Sequence, residues 1–187
     1  MKDGEGATDG DVRIAISGKS GCGNTTVSRL VSKALGLRFI NFTFRTLAEE
    51  RGMSLAEVLP LAEQDDYWDK EVDRRQVALA RQEGGCVLGS RLAIWMLPEA
   101  DLKVYLTAKA DTRIRRILNR EGGEAEAVAA FTEKRDQLDR ERYIRLYGID
   151  NDNYRQIADL VIDTDELDSE AIASRIIKQV TARRSAP

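Results

Sequence analysis

Short apolar runs alternate with longer segments of helical periodicity along nearly the whole chain. Residues 13–17 form a β-branched run, and the segment after it repeats apolar positions on one helical stripe until Gly36. The same alternation predicts further strands at 37–40, 86–88, 102–106 and 159–162. It predicts further helices at 43–51, from Ser54 onward, and at 66–83, 110–120, 124–146 and 169–181. This order of elements is typical of an α/β fold whose parallel sheet is covered on both faces.

No repeat, low-complexity segment or interdomain linker interrupts this pattern. We therefore expect residues 1–187 to form a single domain. The stretch from Met1 to Asp11 is rich in Gly and Asp, which predicts a frayed tail rather than a secretory signal. Gly122-Gly123 separates two charged helices, so the region from about 110 to 148 is expected to form a flap.

Composition narrows the possible partners and chemistry. The chain has 29 Lys and Arg against 32 Asp and Glu, a net charge of −3, which argues against a polymeric nucleic acid as partner. No apolar run approaches the roughly 18 residues that cross a bilayer. Two cysteines, Cys22 and Cys86, without an export signal are typical of a cytoplasmic protein. The chain has no histidine, which excludes His-based catalysis but leaves phosphoryl transfer open, since that depends on positioning and cations.

A glycine-rich segment follows the first predicted strand and precedes the first predicted helix. It fits the phosphate-binding pattern G-x-x-x-x-G-K-[ST] except that an asparagine replaces the lysine. The backbone N–H groups of such a loop cradle phosphates, and the hydroxyl of Thr25 is expected to bind Mg²⁺. The predicted nucleotide-binding residues are Gly18, Lys19, Ser20, Gly21, Cys22, Gly23, Asn24, Thr25 and Thr26. The alternative is a glycine-rich turn without a ligand.

Asn24 weakens the prediction of catalysis, because the usual lysine places a positive charge on the transferred phosphate. A lost charged contact at a transition state costs on the order of 3 kcal/mol. Lys19, in the same loop, is a candidate to supply the missing ammonium group, and the alternative for Lys19 is a solvated loop lysine.

Segments spread over most of the chain, from Val12 to about Val180, resemble one known family. They are Phe44-Arg45, residues 50–55, Asp73-Arg74-Arg75-Gln76, Arg91-Leu92-Ala93, Trp95-Met96, residues 100–108, Arg120-Glu121-Gly122, Arg142-Tyr143, residues 147–150, residues 159–162 and Thr164-Asp165. Together with the glycine-rich loop, these segments make the chain similar to the cytidylate kinase family, and within that family to the compact archaeal-type enzymes. The resemblance implies a three-layer P-loop fold with a five-stranded parallel sheet and a helical lid.

The resemblance also implies transfer of the γ-phosphate of ATP to CMP or dCMP with Mg²⁺. It implies that Arg45 and Arg91 grip the acceptor phosphate, for which the planar guanidinium fork is suited. Asp73, with its neighbours Asp69 and Arg74, is a candidate to contact a base edge. Lid arginines are expected to stabilise the transition-state charge; they are Arg113, Arg116, Arg120, Arg135, Arg140 and Arg142. The alternative for these arginines is a set of surface ion pairs.

The sequence departs from the family in three places. Asn24 replaces the loop lysine, Phe42 stands where an acidic residue precedes the Phe-Arg pair, and Gly89-Ser90 stands where an acidic residue and a glycine precede Arg91. These departures leave two alternatives open. One is a nucleotide-binding sensor or interaction protein of the same fold with little kinase activity, and the other is a kinase of another small metabolite. A regulatory GTPase is disfavoured, because the sequence has no Asn-Lys-x-Asp segment.

Overall fold

A computed structural model describes residues 11–185, so the predicted tail lies outside the described residues except for Asp11. The strands are β1 (Arg13–Gly18), β2 (Arg38–Ile40), β3 (Cys86–Gly89), β4 (Leu102–Thr107) and β5 (Leu160–Asp163). The helices are α1 (Asn24–Leu35), α2 (Phe44–Glu50), α3 (Leu55–Gln64), α4 (Tyr67–Ala80), α5 (Ala93–Met96), α6 (Ala110–Glu121), α7 (Ala125–Tyr147) and α8 (Ser169–Arg184). A 3₁₀ helix, Asn151–Gln156, precedes β5.

The strands form one parallel sheet in the order β2-β3-β1-β4-β5. Strand β1 lies in the middle, with Ile14 paired to Val87 of β3 and to Leu102 of β4. In the described part of the chain the sheet has five strands, so the predicted sheet is confirmed. Because all strands run in one direction, their carboxyl ends lie along one edge.

Helices cover both faces of the sheet, which confirms the three-layer architecture. Ile14 and Ile16 of β1 face a core shared with α1 and α8, whose Val27 and Ile176 are fully buried there. Ala15 points to the opposite face, into a core with α4 and α5. This division follows from the two-residue alternation of side chains along a strand.

Local capping signals explain several boundaries. Ser54 and Glu57 form the predicted capping box, in which Glu57 accepts from the Ser54 N–H at 2.7 Å. Between α6 and α7, Gly122 and Gly123 adopt φ values of 74° and 104°, a region that favours glycine. The sequence prediction missed α5 and the 3₁₀ helix, and it extended α4 beyond its end at Ala80.

Among the described residues, no helix combines the length and apolar character that spanning a membrane requires.

Candidate active site

Several of the predicted site residues lie at the carboxyl edge of the sheet. The glycine-rich loop follows β1, and α2 with Arg45 follows β2. Arg91 lies two residues beyond β3, and α6 with Arg113 follows β4. This edge is where open parallel sheets bind ligands, because the loops after neighbouring strands converge there.

The loop backbone needs its glycines. Gly21 and Gly23 have φ values of 84° and 96°, and a side chain at either position would be strained. A Cβ on Gly21 would lie 2.9 Å from both the Cβ and the carbonyl oxygen of Arg113. The loop therefore rests directly on the start of α6.

Four successive carbonyl groups of the loop are held by donors. Arg113 Nε donates to Ser20 O at 2.6 Å, and Arg116 Nη1 donates to Gly21 O at 3.3 Å. Asn24 Nδ2 donates to Gly18 O at 2.6 Å, and the carbonyl oxygen of Lys19 accepts from the loop at 3.2 Å. A phosphate cradle needs N–H groups turned toward the ligand, and fixing the carbonyls elsewhere serves that need.

Asn24 closes the loop on itself. Its amide nitrogen is directed to Gly18 O, while its Oδ1 is buried without a hydrogen-bond partner among the described residues. The next residue, Thr25, is exposed in the first turn of α1, which places its hydroxyl within reach of a ligand. Cys22 is only 2% exposed, and burial raises the pKa of its thiol, which favours a filler role over redox chemistry.

Lys19 pairs with a carboxylate that the sequence did not single out. Its Nζ lies 2.7 Å from Asp152 Oδ1, on the 3₁₀ helix. The other oxygen of Asp152 lies 3.4 Å from Nε of Arg140. Arg140 also donates to both oxygens of Asp150, at 2.8 and 2.7 Å, and these hydrogen bonds lower the pKa of that carboxyl to about 2. Asp152 thus bridges the loop and α7.

Arg113 and Arg116 connect the loop to other parts of the protein. Arg113 is 6% exposed, and its two terminal nitrogens donate to Asp136 of α7 at 2.6 and 2.9 Å. Arg116 donates to the hydroxyl and the carbonyl oxygen of Thr164, at 2.9 and 2.6 Å. With the loop carbonyls included, both guanidinium groups are engaged by protein oxygens in this structure.

Arg91 lies in a network that joins the loop after β3 to α7. It donates to Asp139, which is 7% exposed and also accepts from Arg142 at 2.6 Å. Burial and the charge of Arg91 lower the pKa of Arg135 on the same helix. The structure therefore joins Arg91 and Arg142 through one carboxylate.

Two predicted arginines are exposed. Among the described residues, the Arg45 side chain has no hydrogen bond or ion pair, although it lies at the start of α2 near the carboxyl edge. Within residues 11–185, Arg120 pairs only with its neighbour Glu121, and its side chain is 60% exposed. The structure does not join either residue to the network around Arg91.

Asp73 lines a cleft of about 420 Å³ between α4, α5 and the end of α7. It accepts a hydrogen bond from Tyr147 Oη at 2.7 Å. Burial, with a contribution from the Asp69 charge, raises the pKa of Asp73 to about 6. Arg74 lines the same cleft and pairs with Glu71 at 2.8 Å.

We expect Asp73→Asn to raise the free energy of unfolding by about 1 to 2 kcal/mol near pH 7.5. The folded chain keeps the Asp73 proton up to about pH 6, whereas the unfolded chain releases it near 3.8. The native carboxyl therefore loses stability as the pH rises through this window, and asparagine avoids that loss. Urea unfolding at pH 7.5 and at pH 4 measures the gain, which should vanish at pH 4. Asp66→Asn is the control, because Arg145 lowers the pKa of Asp66 and no gain is expected. An equal gain at both pH values would contradict the assignment.

Comparisons with known proteins agree with this geometry. Residues 13–166 match the family model described as the cytidylate kinase-like family. The chain is 44% identical over 175 residues to cytidylate kinase 2 of Borreliella afzelii, covering 92% of this chain and 98% of the relative. It is 36% identical over 175 residues to the cytidylate kinase of Archaeoglobus fulgidus, covering 92% and 97%. In fold it is similar to shikimate kinase from Acinetobacter baumannii in complex with shikimate, with a TM-score of 0.65, 16% identity, and coverage of 94% and 96%.

Proposed function

We propose, from the premise that this chain belongs to the cytidylate kinase-like family, that it transfers the γ-phosphate of ATP to CMP or dCMP. Family membership confirms the resemblance drawn from the sequence and makes the chain a nucleoside monophosphate kinase. The observation that carries the proposal is the glycine-rich loop at the middle of the carboxyl edge, with cationic side chains gathered from the loops after β3 and β4.

The donor site would be the loop from Gly18 to Thr26. Its carbonyls are held away by Arg113, Arg116 and Asn24, so its N–H groups and the start of α1 favour the phosphates of ATP. In the described chain, no group of three or more acidic or cysteine side chains is placed to hold a metal. The exposed hydroxyl of Thr25 fits Mg²⁺ that keeps phosphate oxygens and water as its other ligands. When bound, Mg²⁺ neutralises charge on the β- and γ-phosphates.

The acceptor site would lie on the β2–β3 side of the loop. Arg91 would bind the acceptor phosphate through its planar fork, and Arg45 would assist from α2. Asp73 remains a prediction for the part of the site along α4. The donor loop follows β1 and Arg91 follows the neighbouring β3, so the two phosphates would lie over adjacent strands, which supports an in-line transfer.

During transfer, negative charge spreads over the oxygens of the moving phosphoryl group. Lys19 and the arginines of α6 and α7 would stabilise that charge; they are Arg113, Arg116, Arg120, Arg135 and Arg140. Lys19, Arg113 and Arg140 pair with carboxylates in this structure. Each must therefore exchange a carboxylate oxygen for a phosphate oxygen when the substrates bind.

Asn24 favours one alternative, a nucleotide-binding protein of the same fold with little kinase activity. Its amide is directed to Gly18 O, and asparagine brings no charge to the γ-phosphate. Both candidate functions involve ATP binding, so only turnover distinguishes them.

We expect CMP or dCMP to stimulate ADP release from ATP and Mg²⁺ at least tenfold above background. A coupled ADP-release assay with CMP, dCMP, UMP, AMP and GMP measures this, with a thermal melt in ATP and Mg²⁺ beside it. ATP alone raises the melting temperature by mass action, so the melt reports binding and not catalysis. Background turnover with every acceptor, together with a clear melting shift in ATP, would favour the binding protein instead.

A further inference from the structure

Arg135 of α7 is a partly buried cation that has no hydrogen bond or ion pair with any residue from 11 to 185. Its guanidinium group lies over the ring of Phe131, with Cζ 6.0 Å from the ring centroid. Burial and the charge of Arg91 lower the pKa of Arg135. A partly buried cation beside a like charge costs free energy unless an anion balances it. Arg135 is therefore suited to receive an incoming anion.

The place of Arg135 along α7 indicates which anion it meets. Asp136, the next residue, pairs with Arg113, which holds the glycine-rich loop. Asp139, one turn further along the helix, pairs with Arg91. The donor loop and the expected acceptor arginine are therefore both connected to α7 within about one turn of Arg135. On the proposed function, the phosphoryl group moves between these two connections.

Phe131 is an aromatic residue whose position the hydrophobic cores do not explain. It lies outside those cores, and 59% of its surface is exposed. It precedes Arg135 by four residues, so the two side chains lie on the same face of α7. The face of an aromatic ring attracts a guanidinium group and restricts where that group can lie. The ring therefore restrains a cation that is otherwise unpaired within residues 11–185.

We propose that Phe131 is a positioning residue that holds the Arg135 guanidinium group ready for the phosphoryl group in transfer, an inference that rests on the proposed function. Lys19 and Arg113 must first leave a carboxylate, whereas Arg135 has none to leave among the described residues. Negative charge spreads over the oxygens of the moving group, and a cation already in place stabilises that charge without reorganisation. Phe131 acts through Arg135 and does not itself touch the substrate.

Phe131→Leu tests the proposal, because leucine keeps an apolar side chain and a high helix propensity but has no aromatic face. We expect kcat with ATP and CMP to fall by about threefold or more, while KM for either substrate changes less than about twofold. Phe131→Trp should keep the wild-type kcat, since an indole ring attracts a guanidinium group at least as well. Leu138→Ala is the matched control on the same helix; Leu138 is 54% exposed, and its variant should keep wild-type rates.

A double-mutant cycle separates positioning from a general effect on the lid. In an Arg135→Gln background, Phe131→Leu should have no further effect on kcat, because the group through which Phe131 acts is absent. An equal loss in both backgrounds overturns the proposal, and so does a loss that appears only in KM for CMP. If Phe131→Leu does not fold, Phe131→Met takes its place in the cycle, since methionine also lacks a ring.

Nuclear magnetic resonance gives a readout of the contact that does not depend on turnover. The ring current of Phe131 shifts the resonances of protons that lie over its face, so the Arg135 Nε–H resonance should move in Phe131→Leu and stay in Leu138→Ala. A resonance unchanged in Phe131→Leu overturns the proposal. Absent turnover with every acceptor, beside a resonance that moves as expected, would overturn the proposed function and the transfer role but not the contact. Wild-type turnover with no loss in Phe131→Leu would overturn the proposal alone.

Discussion

Replacing Arg91 by alanine is expected to lower kcat/KM for the acceptor by on the order of 10³-fold, about 4 kcal/mol, while KM for ATP changes less than twofold. The guanidinium fork that would bind the acceptor phosphate is lost, and the donor loop over β1 keeps all of its contacts. Steady-state kinetics with each substrate varied in turn measures the effect. Arg91→Lys should also lose at least tenfold, because an ammonium group lacks the two parallel N–H donors of the planar guanidinium fork.

The variant also leaves a buried carboxylate short of one partner, so stability must be separated from activity. Asp139 is 7% exposed and would keep only Arg142. The double variant Arg91→Ala/Asp139→Asn removes that unpaired charge and should recover melting temperature without recovering acceptor turnover. Wild-type kinetics for CMP in a folded Arg91→Ala protein would refute the acceptor role.

Replacing Lys19 by alanine is expected to lower kcat/KM by on the order of 10²-fold, about 3 kcal/mol of transition-state stabilisation. The loop carries an asparagine at position 24, so its N–H groups supply only partial charge to a triphosphate. Lys19 is the ammonium group nearest in sequence, and it must leave Asp152 to reach a phosphate. Single-turnover measurements on Lys19→Ala test this. The control is Lys33→Ala in the last turn of α1, which should have wild-type rates.

Asn24→Lys completes the test. In the Lys19→Ala background it should restore part of the lost rate, and in the wild type it should change the rate less, because two ammonium groups would crowd one phosphate. The reverse pattern would overturn the replacement: a silent Lys19→Ala together with turnover created only by Asn24→Lys would show a binding protein with a dormant kinase site.

Local sequence patterns predicted the sheet, the loop and most helices. Residues 13–17 and 102–106 signal strands through their own apolar runs, and Gly36 signals the end of α1. The 3₁₀ helix Asn151–Gln156 has neither an apolar run nor a terminal glycine, and its local signal is the Asp150 side chain, which accepts from the Asp152 N–H. Tyr154 stacks on Tyr105 of β4 with ring centroids 4.0 Å apart, and this contact between residues distant in sequence holds the segment in place. Single-sequence patterns cannot show such a contact.

The cationic half of the site could be predicted, but its acidic half could not. The arginines after β3 and β4 follow from their positions after strands. Their partners Asp136, Asp139 and Asp152 depend on how α7 and the 3₁₀ helix pack over the sheet. One signal was available, since Asp136 and Asp139 are three residues apart and share a face of a helix. That spacing alone does not distinguish a solvated face from one that meets buried arginines.

These carboxylates neutralise the cations of the candidate site. Lys19, Arg91, Arg113 and Arg140 each pair with an aspartate of α7 or of the segment after it. On the proposed function, phosphate binding would exchange one anion for another, because each of these four cations already has an aspartate partner. A monovalent anion such as chloride gains little by displacing an aspartate that is tethered in place. A doubly charged phosphate that brings two oxygens to a guanidinium group would gain more, so the resident aspartates would set an affinity threshold that favours phosphorylated ligands over the common anions of the cell.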